Sequence, residues 1–204
     1  IYSTMDFYPN GWERLVVKNT LGISYDKYPS EKGIIVNNVS TIYAIYEMFK
    51  YNRPLTERVI TITGPGIKKK KNVKVKIGAL ASEIISNLDG YKNIKNPLFI
   101  VGGPMMGKSM PCDDVVITKD VTSIIVMEDH FEKNLPCIKC GKCTMVCPAN
   151  IMPVLIMENI DNIDNLKKLK CNKCIGCSLC SYICPSKIEV REFVNIAKEK
   201  VNHK

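Results

Sequence analysis

Histidine is almost missing from this chain: His130 and His203 are the only two among 204 residues. An isolated imidazole near a domain junction and another in the tail read as structural or solvated groups, and no Ser/His/Asp or Cys/His nucleophile pairing can be built on them. Long apolar runs are missing too. None reaches the roughly 20 residues that span a bilayer, so no direct membrane span is expected and any membrane association would come through a partner or a surface. No secretory segment is visible, although a chain that starts at Ile1 without Met reads as a piece of a longer protein, and the missing targeting segment then carries little weight. Recognised nucleic-acid motifs are absent, so the basic excess of 29 Lys and Arg over 20 Asp and Glu is not expected to mark nucleic-acid binding. The string Gly102-Gly103-Pro104-Met105-Met106-Gly107, taken to end at Gly107, is read as lacking both the Lys-Ser/Thr ending of a phosphate loop and G-x-G-x-x-G spacing, and so as a structural loop in which glycines admit positive φ.

What the chain does have is cysteine, ten in all. Eight fall into two runs of one form, C-x2-C-x2-C-x3-C-P: Cys137, Cys140, Cys143, Cys147 with Pro148, and Cys174, Cys177, Cys180, Cys184 with Pro185. This is the established ligand pattern of bacterial two-cluster ferredoxins, in which the fourth Cys of each run ligates the other cluster. Three thiolates spaced two residues apart reach three corners of one cube, and the fourth corner is supplied from elsewhere. The rule assigns Cys137, Cys140, Cys143 and Cys184 to one [4Fe–4S] cluster, and Cys174, Cys177, Cys180 and Cys147 to a second. Zinc uses four tetrahedral ligands, and a third in-phase Cys followed by C-P is surplus to it. A disulfide framework belongs to small secreted chains. Cys171, three residues before Cys174, reads as a buried unligated thiol, with a substitute ligand as the alternative, and Cys112 reads as a small apolar packing residue. Two oxidised cubanes with their thiolates would bring the formal charge of +9 to about +5, so part of the basic excess acts as a counterweight.

Along the chain an α+β organisation is expected. In residues 1–54, Glu13 to Thr20 reads as a short helix ending near Gly22, Gly33 to Val36 as the buried end of a strand, and Ser40 as the cap of a helix carrying Ile42, Tyr43, Ile45, Tyr46 and Phe49. Residues 55–128 alternate apolar and polar side chains at Arg58 to Thr63 and at Val73, Val75 and Ile77. A helical stretch from Leu80 to Leu88 follows, and strands return at Leu98 to Val101 and Ser123 to Met127. The lysine run Lys68 to Lys71 reads as a solvated hairpin tip. Residues 129–204 form the cysteine module. In it, Pro153 opens a short helix, Asp164 or Asn165 caps another, and Val190, Phe193, Val194, Ala197 and Val201 trace one face of a closing helix. Pro148-Ala-Asn-Ile151 repeats as Pro185-Ser-Lys-Ile188, which places an isoleucine beside each cluster.

The order of these parts carries a resemblance: Ile34-Ile-Val-Asn37-Asn38-Val39, the α+β domain, Gly102 to Gly107, then the paired Cys runs. Together they resemble the C-terminal portion of the RnfC-like family, which includes the RnfC component of the Rnf electron transport complex and a relative associated with proline reductase in anaerobic bacteria. The segment Tyr8-Pro-Asn-Gly-Trp-Glu-Arg-Leu-Val departs from the Gly- and Gln-containing string of true Rnf subunits, which keeps the proline-reductase relative in play. The resemblance implies three parts: residues 1–54 as the tail of a flavin- and NADH-binding domain similar to the complex I 51-kDa subunit, residues 55–128 as a β-grasp domain of the soluble-ligand-binding (SLBB) type, and residues 129–204 as a helical dicluster, ferredoxin-like domain. It puts Asn37 and Asn38 near FMN in the full-length parent, with FMN and NAD(H) bound only there. The implied function is an electron-transfer subunit that relays single electrons through two [4Fe–4S] clusters and is not catalytic by itself. Its implied partners are ferredoxin, Rnf subunits or a reductase, in the cytoplasm or peripheral at the inner face of the membrane through those partners. An iron–sulfur redox sensor and a metal-stabilised structural or interaction module are the alternatives. Lys139 and Lys142 are expected to stabilise the reduced state.

Overall fold

The computed structural model describes residues 2–130 and 132–202; His203 lies outside them. The chain divides into two compact units, Ile1–Thr56 and Glu57–Lys204.

In the first unit, α1 (Glu13–Leu21) buries Val17 and is stopped by Gly22, whose left-handed conformation, φ 68°, turns its N–H back to the Lys18 carbonyl at 2.9 Å. Arg14 donates to the Tyr25 carbonyl at 2.9 Å, and the Tyr25 hydroxyl donates to Glu13 Oε1 at 3.0 Å, which ties the following loop to this helix. Burial, reinforced by Glu13, pushes the Tyr25 hydroxyl above its ordinary pKa. The expected strand end at Gly33 to Val36 does not form. Gly33 instead terminates a 3-10 turn, Pro29–Lys32, and Ile35 is 81% exposed. The helix after it, α2 (Val39–Tyr51), is capped by Asn38, whose Oδ1 accepts the Ser40 N–H at 2.9 Å, rather than by Ser40 itself. No residue of α2 is buried in the described unit, and Phe49 is 88% exposed.

The second unit opens with β1 (Glu57–Thr63) and β2 (Lys71–Lys76), an antiparallel pair with Ile60 opposite Val73. Then come α3 (Ala81–Ser86), β3 (Pro97–Val101), β4 (Lys108–Met110) and β5 (Ser123–Glu128). The sheet order is β2-β1-β5-β3-β4, with β1 and β5 parallel and the remaining neighbours antiparallel. Alternation turns Ile60, Ile62, Ile124 and Val126 onto the face where α3 lays Ala81 and Ile85, with Ile67, Phe99 and Ile117 completing a dry core. The loop from Gly102 to Gly107 joins β3 to β4. Read on into Lys108 and Ser109, the string does satisfy the G-x4-G-K-S form of a phosphate loop, a match the sequence reading missed. A phosphate loop opens a helix at its Lys and Ser, whereas these two residues lie in β4, paired with β3. The loop is structural.

Gly64 shows how tightly the sheet closes. Its φ is +116°, and a Cβ added there would stand 2.1 Å from the Val126 carbonyl oxygen. Gly64→Ala is expected to destabilise the sheet by about 3 kcal/mol, from backbone strain together with overpacking. Chemical denaturation of the variant beside the parent chain measures it.

The cysteine module follows β5 as α4 (Lys142–Met145), α5 (Pro153–Glu158), α6 (Ile163–Lys168), a 3-10 turn (Cys171–Lys173), α7 (Leu179–Tyr182) and α8 (Val190–Asn202). Pro153 occupies the first turn of α5, where its missing N–H has no intrahelical partner to lose. Asn162, not Asp164 or Asn165, caps α6, its side chain accepting the Asn165 N–H at 3.0 Å. The long helix α8 buries Val194 and Ala197 against Ile151, Ile156 and Leu166, a second apolar core separate from that of the sheet, and Val190 at its start is buried beside the first cysteine loop.

Candidate metal centres

The two cysteine runs fold alike. Residue n of the first corresponds to residue n + 37 of the second, and the backbone repeats with it. Lys139 and Gly176, Gly141 and Ser178, and Asn150 and Lys187 are matched pairs, and all six residues have positive φ. Gly141 leads into α4, and Ser178 leads into α7. These left-handed residues reverse the chain between successive cysteines and turn main-chain N–H groups inward. The Lys139 N–H lies 3.4 Å from Cys137 Sγ, and the matched Gly176 N–H lies 3.3 Å from Cys174 Sγ.

Each run helps to enclose a cavity. One, partly open to solvent, is lined by Cys137, Cys140, Cys143 and Cys184, with Val154, Met157 and Ile188 among its walls. The other, open to a similar degree, is lined by Cys174, Cys177, Cys180 and Cys147, with Ile151, Arg191 and Val194. All thirteen residues around the first have their counterparts, 37 positions away, around the second. Three cysteines of each set come from one run and the fourth from the other, because each chain exit, Cys147-Pro148 or Cys184-Pro185, crosses to the neighbouring cavity. Ile151 and Ile188 line opposite cavities by the same crossing.

The donor set suits a multi-iron cluster. Among the described residues no three Cys, His, Asp or Glu converge to hold a single ion. Zinc draws its sulfurs to about 2.3 Å from one centre, whereas a cube takes four thiolates at separate corners, and four cysteines drawn from two runs line each of these spaces. Burial pushes the Cys143 and Cys177 thiols up, and Cys180 up to about 12, the last helped by the neighbouring Cys174. Metal must displace these protons, so loading is proton-coupled.

Other residues are placed differently from expectation. Cys171 is 1% exposed and packs in the α8 core, as a buried unligated thiol should. Cys112 is exposed rather than packed, on a groove with Tyr91, Phe99 and Asp113. His130 is exposed. Lys139 does not offer a free charge, since its ammonium pairs with Glu158 at 3.0 Å, and the carboxylate raises its pKa. Asn37 and Asn38 lie in the first unit, both exposed, with the Asn38 side chain committed to capping α2. Sequence reasoning missed Arg191 and Ser178, which stand beside the second set of thiols. The 37-residue repeat sets Ser178 against Gly141 within the runs and, extended past Pro185, sets Arg191 against Val154.

Similarity to known proteins agrees with this geometry. Residues 136–188 match the family model Fer4_7, a 4Fe-4S dicluster domain. The RnfC component of the ion-translocating oxidoreductase complex of Rhodobacter capsulatus is 33% identical over 151 residues, covering 72% of this chain and 29% of the relative. The same component is 32% identical over 153 residues in Pectobacterium atrosepticum and 33% identical over 153 in Vibrio cholerae. Each of these covers 72% of this chain, and 22% and 20% of the relative respectively. Repeated cysteine cavities within a matched dicluster domain define an iron–sulfur protein with paired centres. The chain belongs to the RnfC-like family. It spans less than a third of the length of these relatives.

Proposed function

We propose that this chain relays single electrons through two [4Fe–4S] clusters, between a flavin and NAD(H) site in the parent protein and a redox partner. The carrying observation is the pair of repeat-related cavities, each lined by four cysteines drawn from both runs. Cys137, Cys140, Cys143 and Cys184 would hold one cluster, and Cys174, Cys177, Cys180 and Cys147 the other. When bound, such clusters supply reversible one-electron chemistry. The chain's part is to fix the two sites side by side. A ligand from each run in the other's site ties the loops together, and the inward N–H groups of Lys139 and Gly176 favour added negative charge on the sulfurs.

The remaining parts fit the same reading. A parallel central pair, β1 and β5, flanked by antiparallel neighbours and covered by α3, supports a β-grasp domain of the soluble-ligand-binding type over residues 55–128. The uncovered apolar side of α2 supports residues 1–54 as the tail of a larger flavin domain, with Asn37 and Asn38 toward its FMN. Among the described residues no helix is long and apolar enough to cross a membrane. In this reading any attachment to a membrane, at its cytoplasmic face, runs through partner subunits, and the relatives are named as components of an ion-translocating complex. Whether the partners are Rnf subunits, ferredoxin or a reductase of the proline-reductase type is decided by pull-down from the native host.

Potentiometric titration of the reconstituted chain separates electron transfer from a purely structural metal. Reversible one-electron reduction is expected. Metal centres that stay inert to reductant until the protein unfolds would contradict the proposal.

A further inference from the structure

Because the two cavities correspond position by position, their differences are informative. Val154 in the first is Arg191 in the second, and Gly141 is Ser178. Both differences meet in one contact: Arg191 Nη1 donates to Ser178 Oγ at 2.9 Å. Ser178 holds φ 65°, a left-handed conformation that strains a residue bearing a Cβ, whereas Gly141 holds the matched φ of 74° freely. The strained serine supplies the hydroxyl that holds the guanidinium. The Arg191 main-chain N–H also donates to Ser181 Oγ at 2.9 Å, so both ends of the residue are fastened to the second cysteine loop. Its side chain is only 29% exposed, and Nε, 3.5 Å from Glu192 Oε1, has no hydrogen-bond partner among the described residues. Seven residues along α8, Lys198 Nζ donates to the Cys174 carbonyl at 3.2 Å.

The surroundings of the first cavity differ. Cys137 and Cys140 are exposed, so water can answer a change of charge there. Lys139 is paired with Glu158 and Lys187 with Glu132 at 2.8 Å, while Lys142 is solvated. Around the second cavity Cys177 is buried, and a group removed from water needs a protein partner for its charge.

We propose that Arg191, latched onto Ser178, sets the reduction potential of the site formed by Cys147, Cys174, Cys177 and Cys180 and leaves the other site untouched. Its guanidinium, fixed at Nη1 by Ser178 and with Glu192 Oε1 3.5 Å from Nε, stabilises the added electron beside the buried Cys177, by the charge and hydrogen-bond control that governs cluster potentials. The proposal rests on the two-cluster reading above.

EPR-monitored redox titration of the reconstituted chain tests it, with the Cys147→Ala protein identifying which couple belongs to the first site. Arg191→Met is expected to lower the reduced-to-oxidised ratio of the second couple at fixed potential by about tenfold, which is about 59 mV for one electron. The first couple should stay in place, and Arg191→Lys should recover most of the shift. Ser178→Gly, which relieves strain but releases the guanidinium, should move the same couple the same way by less. Unmoved midpoints in Arg191→Met, equal shifts of both couples, or failure of lysine to rescue would overturn the proposal. If Arg191→Met does not load, Ser178→Gly decides, and an unmoved second couple there rejects it. A parent chain holding no iron and sulfide would reject the two-cluster reading itself, an outcome distinct from the others.

Discussion

In the Cys147→Ala protein the downstream site, not the one nearest in sequence, is expected to lose its cluster. Cys147 closes the first run, yet it lines the cavity of Cys174, Cys177 and Cys180. With one corner unligated, that cluster should be lost or degrade to a three-iron form, while Cys137, Cys140, Cys143 and Cys184 keep theirs. Iron per chain should fall from about eight to about four where the cluster is lost, or to about seven where the three-iron form remains. The mirror substitution, Cys184→Ala, should empty the upstream site instead. Electron paramagnetic resonance after reduction reads both, since each variant should show one isolated spin in place of two interacting ones. A Cys147→Ala protein that retains the downstream cluster and loses the upstream one would contradict crossed ligation.

Stripping the metal is expected to melt the cysteine module and spare the sheet. Among the described residues the sheet's core has eleven that are buried, whereas the core under α8 has six. The helices α4 and α7 are four residues each, and α5 and α6 six, too short to stand without support. Metal ligation in small domains contributes on the order of 10 kcal/mol to folding, enough to decide the matter. After chelation, hydrogen exchange should accelerate at Val194 and Ala197 and stay slow at Ile60, Ile62 and Ile124. Equal protection in both places would show that the helical core folds without its clusters.

Much of this was legible in the residues because it rests on short-range rules. Cysteine spacing is dictated by the geometry of a cube, and the apolar stripe of α8 and the alternation of β1 are dictated by helix and strand periods. What was misread depended on neighbours distant in sequence. Ile34 to Val36 has the composition of a buried strand, but no strand lies beside it in the described unit. Lys108 to Met110 is a strand only because β3 lies next to it, and that same pairing removes the helix a phosphate loop would need. Cys112 has the composition of a packing residue, yet β4 carries the chain out to the surface before it. Asn38 and Asn162 outcompeted the expected caps because the Asn side chain reaches a nearby main-chain N–H with little loss of freedom. Arg191 stood in view, but its meaning depended on the fold superposing it on Val154.

Iron and acid-labile sulfide counted per chain after anaerobic reconstitution, together with the spectrum of the dithionite-reduced sample, test the central claim most directly. The account predicts about eight of each and the broadened signal of two reduced cubanes close enough to interact. Bound zinc without sulfide, or a single isolated cluster in the unmodified chain, would contradict it.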